Sequence, residues 1–427
     1  MDNPDNPLCS RQNFPDHCQT TAHAVAESVM SFSELSTTNR RNLKLLISAQ
    51  ALGGSSAPIV ISLGGLIGQQ LTPEPALATL PVSLYGVGVA LSMLPVALLM
   101  RRYSRRLTYV LGALVCIVAA SLSASAIIQQ SFWLFCLGLG LAGFYGACVQ
   151  NYRFAASDLV PDAYKPNAIS MIMLGGLAAA VIGPQVAIWF RDSWQGVAFA
   201  GSFVGQAVLA LLALPLLWSL RIPELQQGDQ DASARPLLEI ASTPGFIVAV
   251  LAATVSYSLM SFIMTAAPIS MVHHGHSSGA ATLGIQWHIL AMFAPSFFTG
   301  KLINRFGDRV ITTVGIMLLF SSSLIALSGL AVGHFWAALI LLGLGWNFGF
   351  IGATAMLTHT YRPSEKARVQ ALNDFLVFGS VALASLEAGH QFNIAGWYQL
   401  NLITFPVIAV VLVMLVILPW WQRRQPA

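Results

Sequence analysis

No Asp, Glu, Lys or Arg lies between Arg106 and Arg153, between Glu239 and Lys301, between Arg309 and Arg362, or from Ala388 to Gln422. A helix needs about 20 apolar residues to cross a hydrocarbon core ~30 Å thick. Each of the first three stretches therefore has room for two crossings and an uncharged turn. The turns between the stretches carry the Arg and Lys. That alternation describes a chain threaded repeatedly through a membrane, its cationic turns held on the cytoplasmic side. A charged fraction of 9% and a hydrophobic fraction of 56% exclude an ordinary soluble domain.

Apolar windows of helix length fall near 45–69, 77–99, 107–128, 132–153, 168–190, 197–219, 245–270, 281–303, 310–331, 335–358, 369–389 and 398–420. The reading is an all-α integral membrane protein with twelve transmembrane helices. An even number of crossings puts both termini on one side. Placing alternate turns in the cytoplasm puts 20 of the 21 Lys and Arg there, Arg191 being the exception. The net charge of +4 follows from this loop bias and implies no nucleic-acid partner. The chain divides into a cytoplasmic tail (1–41), a first six-helix bundle (42–219), a cytoplasmic linker (220–244), a second bundle (245–420) and a short cytoplasmic tail (421–427).

The leader has no apolar h-region of a secretory signal. Met30 offers a second start, which leaves translation of residues 1–29 open. Cys9, His17, Cys18 and His23 match no usual zinc spacing, and Cys116, Cys136 and Cys148 fall in apolar spans, where cysteine packs as a small hydrophobe. Neither a metal nor a cofactor is expected. In the linker, Ala234-Arg-Pro-Leu-Leu-Glu-Ile-Ala241 reads as a short amphipathic surface helix. The two bundles echo each other at a shift of about 203–205: Gly138-Leu-Gly140 answers to Gly343-Leu-Gly345, and Ser104-Arg105-Arg106 to Gly307-Asp308-Arg309. Duplication on this scale is the architecture of many secondary transporters, two pseudo-symmetric six-helix bundles.

Two enzyme patterns are accidental. Gly138-Leu-Gly-Leu-Ala-Gly143 matches a dinucleotide fingerprint, but it lies inside an apolar helix instead of at a strand-to-helix turn. Gly275-His-Ser-Ser-Gly279 matches a nucleophile elbow without the strand–turn–helix it requires. No phosphate-binding G-x-x-x-x-G-K-[ST] occurs, so the chain carries no nucleotide-driven pump of that type, and no enzyme activity is expected. His273, His274 and His276 in one outer turn read as solvated imidazoles in preference to a metal site.

Gly300-Lys-Leu-Ile-Asn304-Arg305-Phe-Gly307-Asp-Arg309 follows the eighth window. It resembles the G-x-L-x-[DN]-R-x-G-x-[RK] signature of the major facilitator superfamily. The companion stretch after the second window, Ala97-Leu-Leu-Met-Arg101-Arg102-Tyr-Ser104-Arg105-Arg106, keeps the basic half and lacks both glycines and the acid. Gly183-Pro184 resembles that family's helix-5 antiporter motif without its trailing glycines. The resemblance implies a transporter fold whose halves rock about a midplane site, with Arg101, Arg102, Arg105, Arg106, Arg153, Gly300, Asn304, Arg305, Gly307 and Arg309 serving the gate. It also makes Asp374 a candidate to replace the acid missing at Arg101.

In this family helices 1, 4, 7 and 10 line most of the cavity. That selects Gln50, Ser55, Ser56, Tyr145, Gln150, Asn151, Tyr257, Ser261, Trp346 and Asn347, joined by Gln286, Trp287 and His288 from helix 8. Pro58 is expected to break helix 1 locally. The set is neutral and rich in amides and aromatic rings, which suits an uncharged or weakly ionised planar solute. His288, with Asp374, is the candidate for coupling to protons. The stretches Gly343–Phe348 and Gln370–Phe375 resemble the bacterial branch of the superfamily in which a riboflavin importer is found. The expected function is secondary active transport of a small aromatic solute across the inner membrane by a monomer. An exporter exchanging drugs or metabolites for protons, or a non-transporting receptor, is the alternative.

Overall fold

The computed structural model describes residues 36–161, 165–194, 196–222 and 235–422, and all regular structure among them is helical. The leader cysteines and the linker centre lie outside the described residues. The helices are α1 (Thr37–Gly53), α2 (Ser56–Leu71), α3 (Leu80–Arg102), α4 (Arg105–Ile128), α5 (Phe132–Gln150), α6 (Tyr152–Ser157), α7 (Lys165–Trp189) and α8 (Ala200–Trp218). They continue as α9 (Leu237–Ala241), α10 (Pro244–His273), α11 (Ser278–Phe293), α12 (Ser296–Phe306), α13 (Asp308–Ser328), α14 (Val332–Thr358), α15 (Lys366–Leu402) and α16 (Thr404–Gln422). In hydrocarbon every backbone N–H and C=O must be satisfied within the chain, and a helix does this segment by segment.

Ten helical stretches among the described residues are long and apolar enough to cross a membrane. One of them, Arg368–Trp421, has 54 residues, about 80 Å of helix at 1.5 Å per residue. It reverses at Gly396, whose φ of 70° interrupts the helix, and so supplies two crossings. The eighth span is two shorter helices, α11 and α12, parted at Ala294–Pro295. The total is twelve, and the chain returns to the side it started from. We call that side the terminal face, and the other the opposite face.

Two spans are not the unbroken windows read from the sequence. The first parts at Gly54–Ser55, between α1 and α2. Pro58 has no N–H to offer the carbonyl of Gly54, so the turn loosens four residues upstream of the proline. In the eighth span the break falls at Pro295 itself, which has no N–H to offer the carbonyl of Ala291.

Among the described residues apolar side chains form two large cores, with a small third cluster of Leu66, Ala78 and Ile269 between the halves. One runs from Leu43 to Leu220; the other takes nearly all its members from Ile240 to Leu418. Small residues bring helices into backbone contact. A Cβ on Gly143 would lie 2.5 Å from the backbone of Gly88, and one on Gly315 would lie 2.1 Å from the amide nitrogen of Gly349. Gly112 and Gly315, 203 positions apart, play matching parts: the first packs α4 against Cys148 of α5, the second packs α13 against α14. Leu91, Leu94, Leu383 and Val416 are exposed, as a lipid-facing surface requires. Trp133 and Trp189 on the opposite face, and Trp218 and Trp420 on the terminal face, mark the two interfacial belts.

The halves meet mainly through their opposite-face ends. Thr79 Oγ1 donates to Leu386 O (3.3 Å), and a Cβ on Gly389 would lie 2.2 Å from that same hydroxyl. Gly65 of α2 packs against Ile269 of α10. Gln185 Nε2 of α7 donates to Gln286 Oε1 of α11 (2.9 Å).

Candidate transport site

Midway along the helices, the second half presents a cluster of aromatic rings to the seam. Tyr257 of α10 stands edge-on to Trp346, Phe350 and Phe378, with centroids 5.2, 5.1 and 5.7 Å away. Trp346 stacks on Phe350 at 5.4 Å and 14°. The pair is four residues apart on α14, so both rings lie on one helix face. Phe293, at the end of α11, stands 6.5 Å from Trp346. The first half meets this cluster at Gly176 of α7: a Cβ there would touch both the Gln50 amide and the Phe293 ring at 4.0 Å. The cross-seam pair Gln185–Gln286 lies on the opposite-face side of the cluster.

The polar atoms show what such a site can do. The indole N–H of Trp346 is buried and has no hydrogen-bond partner. Buried polar groups are nearly always paired, so an N–H left over beside a stack of rings suits a ligand carbonyl. On the terminal-face side Arg153 has a buried, unpartnered Nε. It lies within Coulombic reach of Asp374 and Tyr257, both of the other half. Asp374 is exposed and accepts from Asn373 Nδ2 (3.1 Å).

The structure packs Tyr257 against Trp346 and sets Gln50, beside Gly176, and Gln286, bonded to Gln185, on the same seam; the other sequence candidates stand apart from it. Ser55 Oγ donates to Ala51 O (2.7 Å), and Ser56 accepts from Gln206 Nε2 (2.6 Å), both within the first half. Tyr145 is buried against Gly53, and Asn151 Nδ2 donates to Ala147 O (2.9 Å). Gln150, partly exposed, ends α5, and Ser261 is buried in α10. His288 is fully enclosed between α11 and α14, its Nδ1–H donating to Leu339 O (2.8 Å). Trp287 is 43% exposed on α11, on the side away from the buried Ile285 and Ile289.

Asn347 has a different task. Its Nδ2 donates to Met292 O (2.6 Å) and Ser296 Oγ (2.7 Å), and its Oδ1 accepts from Thr299 Oγ1 (2.6 Å). All three partners flank the break at Pro295, so this amide fills the gap that the proline opens. Sequence reading missed Gln185, Phe293, Phe350 and Phe378. The i, i+4 spacing of Trp346 and Phe350, and the seven-residue step from Gln286 to Phe293, were the available signals.

A family model described as Major Facilitator Superfamily matches residues 45–385, and again 249–427. The chain belongs to the major facilitator superfamily. It is therefore a multi-pass membrane transporter and no enzyme. It is 56% identical over 384 residues to riboflavin transporter RfnT of Brucella anthropi, covering 89% of this chain and 96% of that one. It is 29% identical over 409 residues to the uncharacterized MFS-type transporter YddS of Bacillus subtilis, covering 90% and 92%. A structure of a variant of the nucleoside transporter NupG superposes with a TM-score of 0.70 at 13% identity, covering 88% of this chain and 99% of that one.

The superfamily's loop signature has a local explanation. Gly307 stands at φ 88°, ψ 151°, a region open essentially to glycine alone. Its counterpart Ser104 has φ 176°, extended backbone that any residue adopts, and its hydroxyl caps α4 by accepting from Leu107 N (3.2 Å). The lost glycine in the first copy is thereby accounted for. Nothing lies within 4 Å of a Cβ on Gly300, so no close approach at that position requires glycine in this conformation. Arg105 pairs with Asp158 inside the first half; Arg106 lies over Trp218, Arg102 over Tyr103 and Arg305 over Phe306. Asp308 Oδ2 is 3.1 Å from His359 Nε2. Arg101, Asn304 and Arg309 are exposed on the terminal face.

Near that face lies a wholly covered carboxylate. Glu365 accepts from the backbone N (3.1 Å), Nε (2.9 Å) and Nη2 (2.8 Å) of Arg235, and from Arg362 N (2.8 Å). Those four bonds to the charged form, the Arg235 side chain's first among them, hold its pKa well below the ordinary carboxylate range, and the same pairing raises that of Arg235. The pair ties the end of the linker, and α9 after it, to the turn before α15. α9 buries Ile240 and leaves Leu238 82% exposed, as a short surface helix should.

Proposed function

We propose that this transporter imports riboflavin, or an uncharged planar heteroaromatic closely like it, with both termini in the cytoplasm and protons as the coupling ion. The observation that carries the substrate is Trp346: a midplane indole stacked on Phe350, ringed by Tyr257 and Phe293, with an unpartnered buried N–H. An isoalloxazine is flat, offers ring carbonyls to such a donor, and has no charge at neutral pH that would need a counter-ion. Gln50, Gln185 and Gln286 supply amides at its edges. The similarity to a protein named riboflavin transporter supports the same reading. The positive turns on the terminal face support its being cytoplasmic. The packed opposite-face ends are then the outer gate, and this conformation opens inward. For coupling, Asp374 facing Arg153 across the seam is better placed than the enclosed His288. Protonating Asp374 removes its attraction to Arg153, which changes how firmly the halves hold together on that side.

The test is uptake of labelled riboflavin into proteoliposomes under an imposed proton gradient, comparing wild type, Trp346→Ala and Asp374→Asn. Accumulation that collapses with the gradient is the expected result, with uptake lost in Trp346→Ala and exchange retained without accumulation in Asp374→Asn. Absence of riboflavin movement in either direction overturns the substrate assignment. Accumulation unaffected by the gradient overturns the coupling.

A further inference from the structure

On the opposite face a cavity of about 360 Å³ opens between the halves, well away from the midplane rings. Gln69 enters it from the end of α2; His273 and His274 enter from the end of α10; Phe392, Asn393 and Trp397 flank the reversal at Gly396. Among the described residues, no Asp, Glu, Lys or Arg lines it. Phe392 stands edge-on to His273 at 5.8 Å. The ring of His274 donates Nδ1–H to Ser270 O (2.7 Å), which leaves Nε2 of the neutral ring as an acceptor. The Trp397 indole N–H is engaged with Ala326 O (3.2 Å), so that side chain offers only its face. Rings, two amides and an imidazole acceptor, at the small end of ligand-pocket volumes, fit an uncharged flat heterocycle carrying hydrogen-bonding groups.

Both halves contribute walls. The cavity adjoins the contact of Gly389 with Thr79, where the halves close on each other. A molecule bound here touches both halves only while this face is shut. Binding restricted to one conformer shifts the population toward it. We propose that this cavity is a second binding site for an uncharged planar heteroaromatic, and that its occupation holds the opposite face closed and slows turnover. The choice of riboflavin as probe rests on the substrate reading above; the site itself does not.

Quenching of riboflavin fluorescence by the purified full-length chain counts the sites. Wild type is expected to titrate two per chain. Asn393→Trp fills the cavity from an exposed position without emptying a core and should leave one, as should Phe392→Ala; Trp346→Ala should remove the other. A single wild-type site that disappears in Trp346→Ala overturns the proposal and leaves the substrate reading standing. A single site that disappears in Asn393→Trp upholds the proposal and overturns the assignment of the midplane rings. Binding at neither overturns both. In proteoliposomes, uptake by wild type should fall at high riboflavin on that face, and the falling limb should vanish in Asn393→Trp with KM unchanged. Two titrated sites with plain saturation of uptake would overturn the closure.

Discussion

Single side chains divide the work sharply. Trp346 and Asn347 are neighbours on α14, yet one faces the seam with a free N–H and the other is bonded at both ends of its amide. Stacking on one aromatic ring contributes about 1–3 kcal/mol, so Trp346→Ala should weaken riboflavin binding roughly ten- to hundredfold. Trp346→Phe should recover most of it; equal losses in the two would assign the energy to the indole N–H instead. Glu365 tests the linker tie. Its folded-state pKa lies below the unfolded value, so its stabilisation is fully present above the ordinary carboxylate range and is lost as pH falls through the depressed folded value. Glu365→Gln should therefore lower Tm at pH 7, and the gap to wild type should narrow as the medium is acidified. A gap independent of pH would show that shape, not charge, matters there. Gly307→Ala forces a Cβ into a glycine-only region, costing about 1–3 kcal/mol, while Ser104→Ala at the extended counterpart should lose only its cap, about 1 kcal/mol.

At the scale of elements, breaks matter as much as helices. The eighth span is held as two pieces by Pro295 and by the three bonds of Asn347. Asn347→Leu keeps the volume and leaves Met292 O, Ser296 and Thr299 without that amide. The expected result is a lower Tm together with a transport rate that falls more than riboflavin affinity does, because Phe293 at the break carries the ring beside Trp346. Unchanged turnover would show that the break is passive. The first span has its own break, into which Gly183 of α7 fits: a Cβ there would lie 2.7 Å from Ser55 O and 2.9 Å from Pro58. Gly183 thus has a packing role in this chain whichever way solute moves.

For the whole molecule, the halves share their firmest contact at the opposite face. Cysteines replacing Thr79 and Gly389 would place their Cβ atoms close enough to bridge only while that face is shut. Oxidation should abolish riboflavin transport, and reduction should restore it; transport persisting through the cross-link would mean that the halves move about some other line. Much of this arrangement was legible from composition. The bilayer applies one rule to every residue along its thickness, so charge-free stretches of fixed length and Arg-bearing turns reveal twelve crossings and a duplicated chain without any knowledge of contacts. The loop signature at Gly300–Arg309 names the superfamily because it depends on local backbone, as Gly307 shows. The site was harder to read. Uniformly apolar helices carry no strong face, so the sequence cannot say which way each one is turned. His288 looks like a deep titratable group and is shut inside one half, while Phe293, Phe350 and Phe378 look like ordinary core and stand at the seam. Length and hydropathy are set residue by residue and survive in the sequence; rotation and the breaks at Gly54 and Pro295 are set by what packs alongside, and only the tertiary structure decides them.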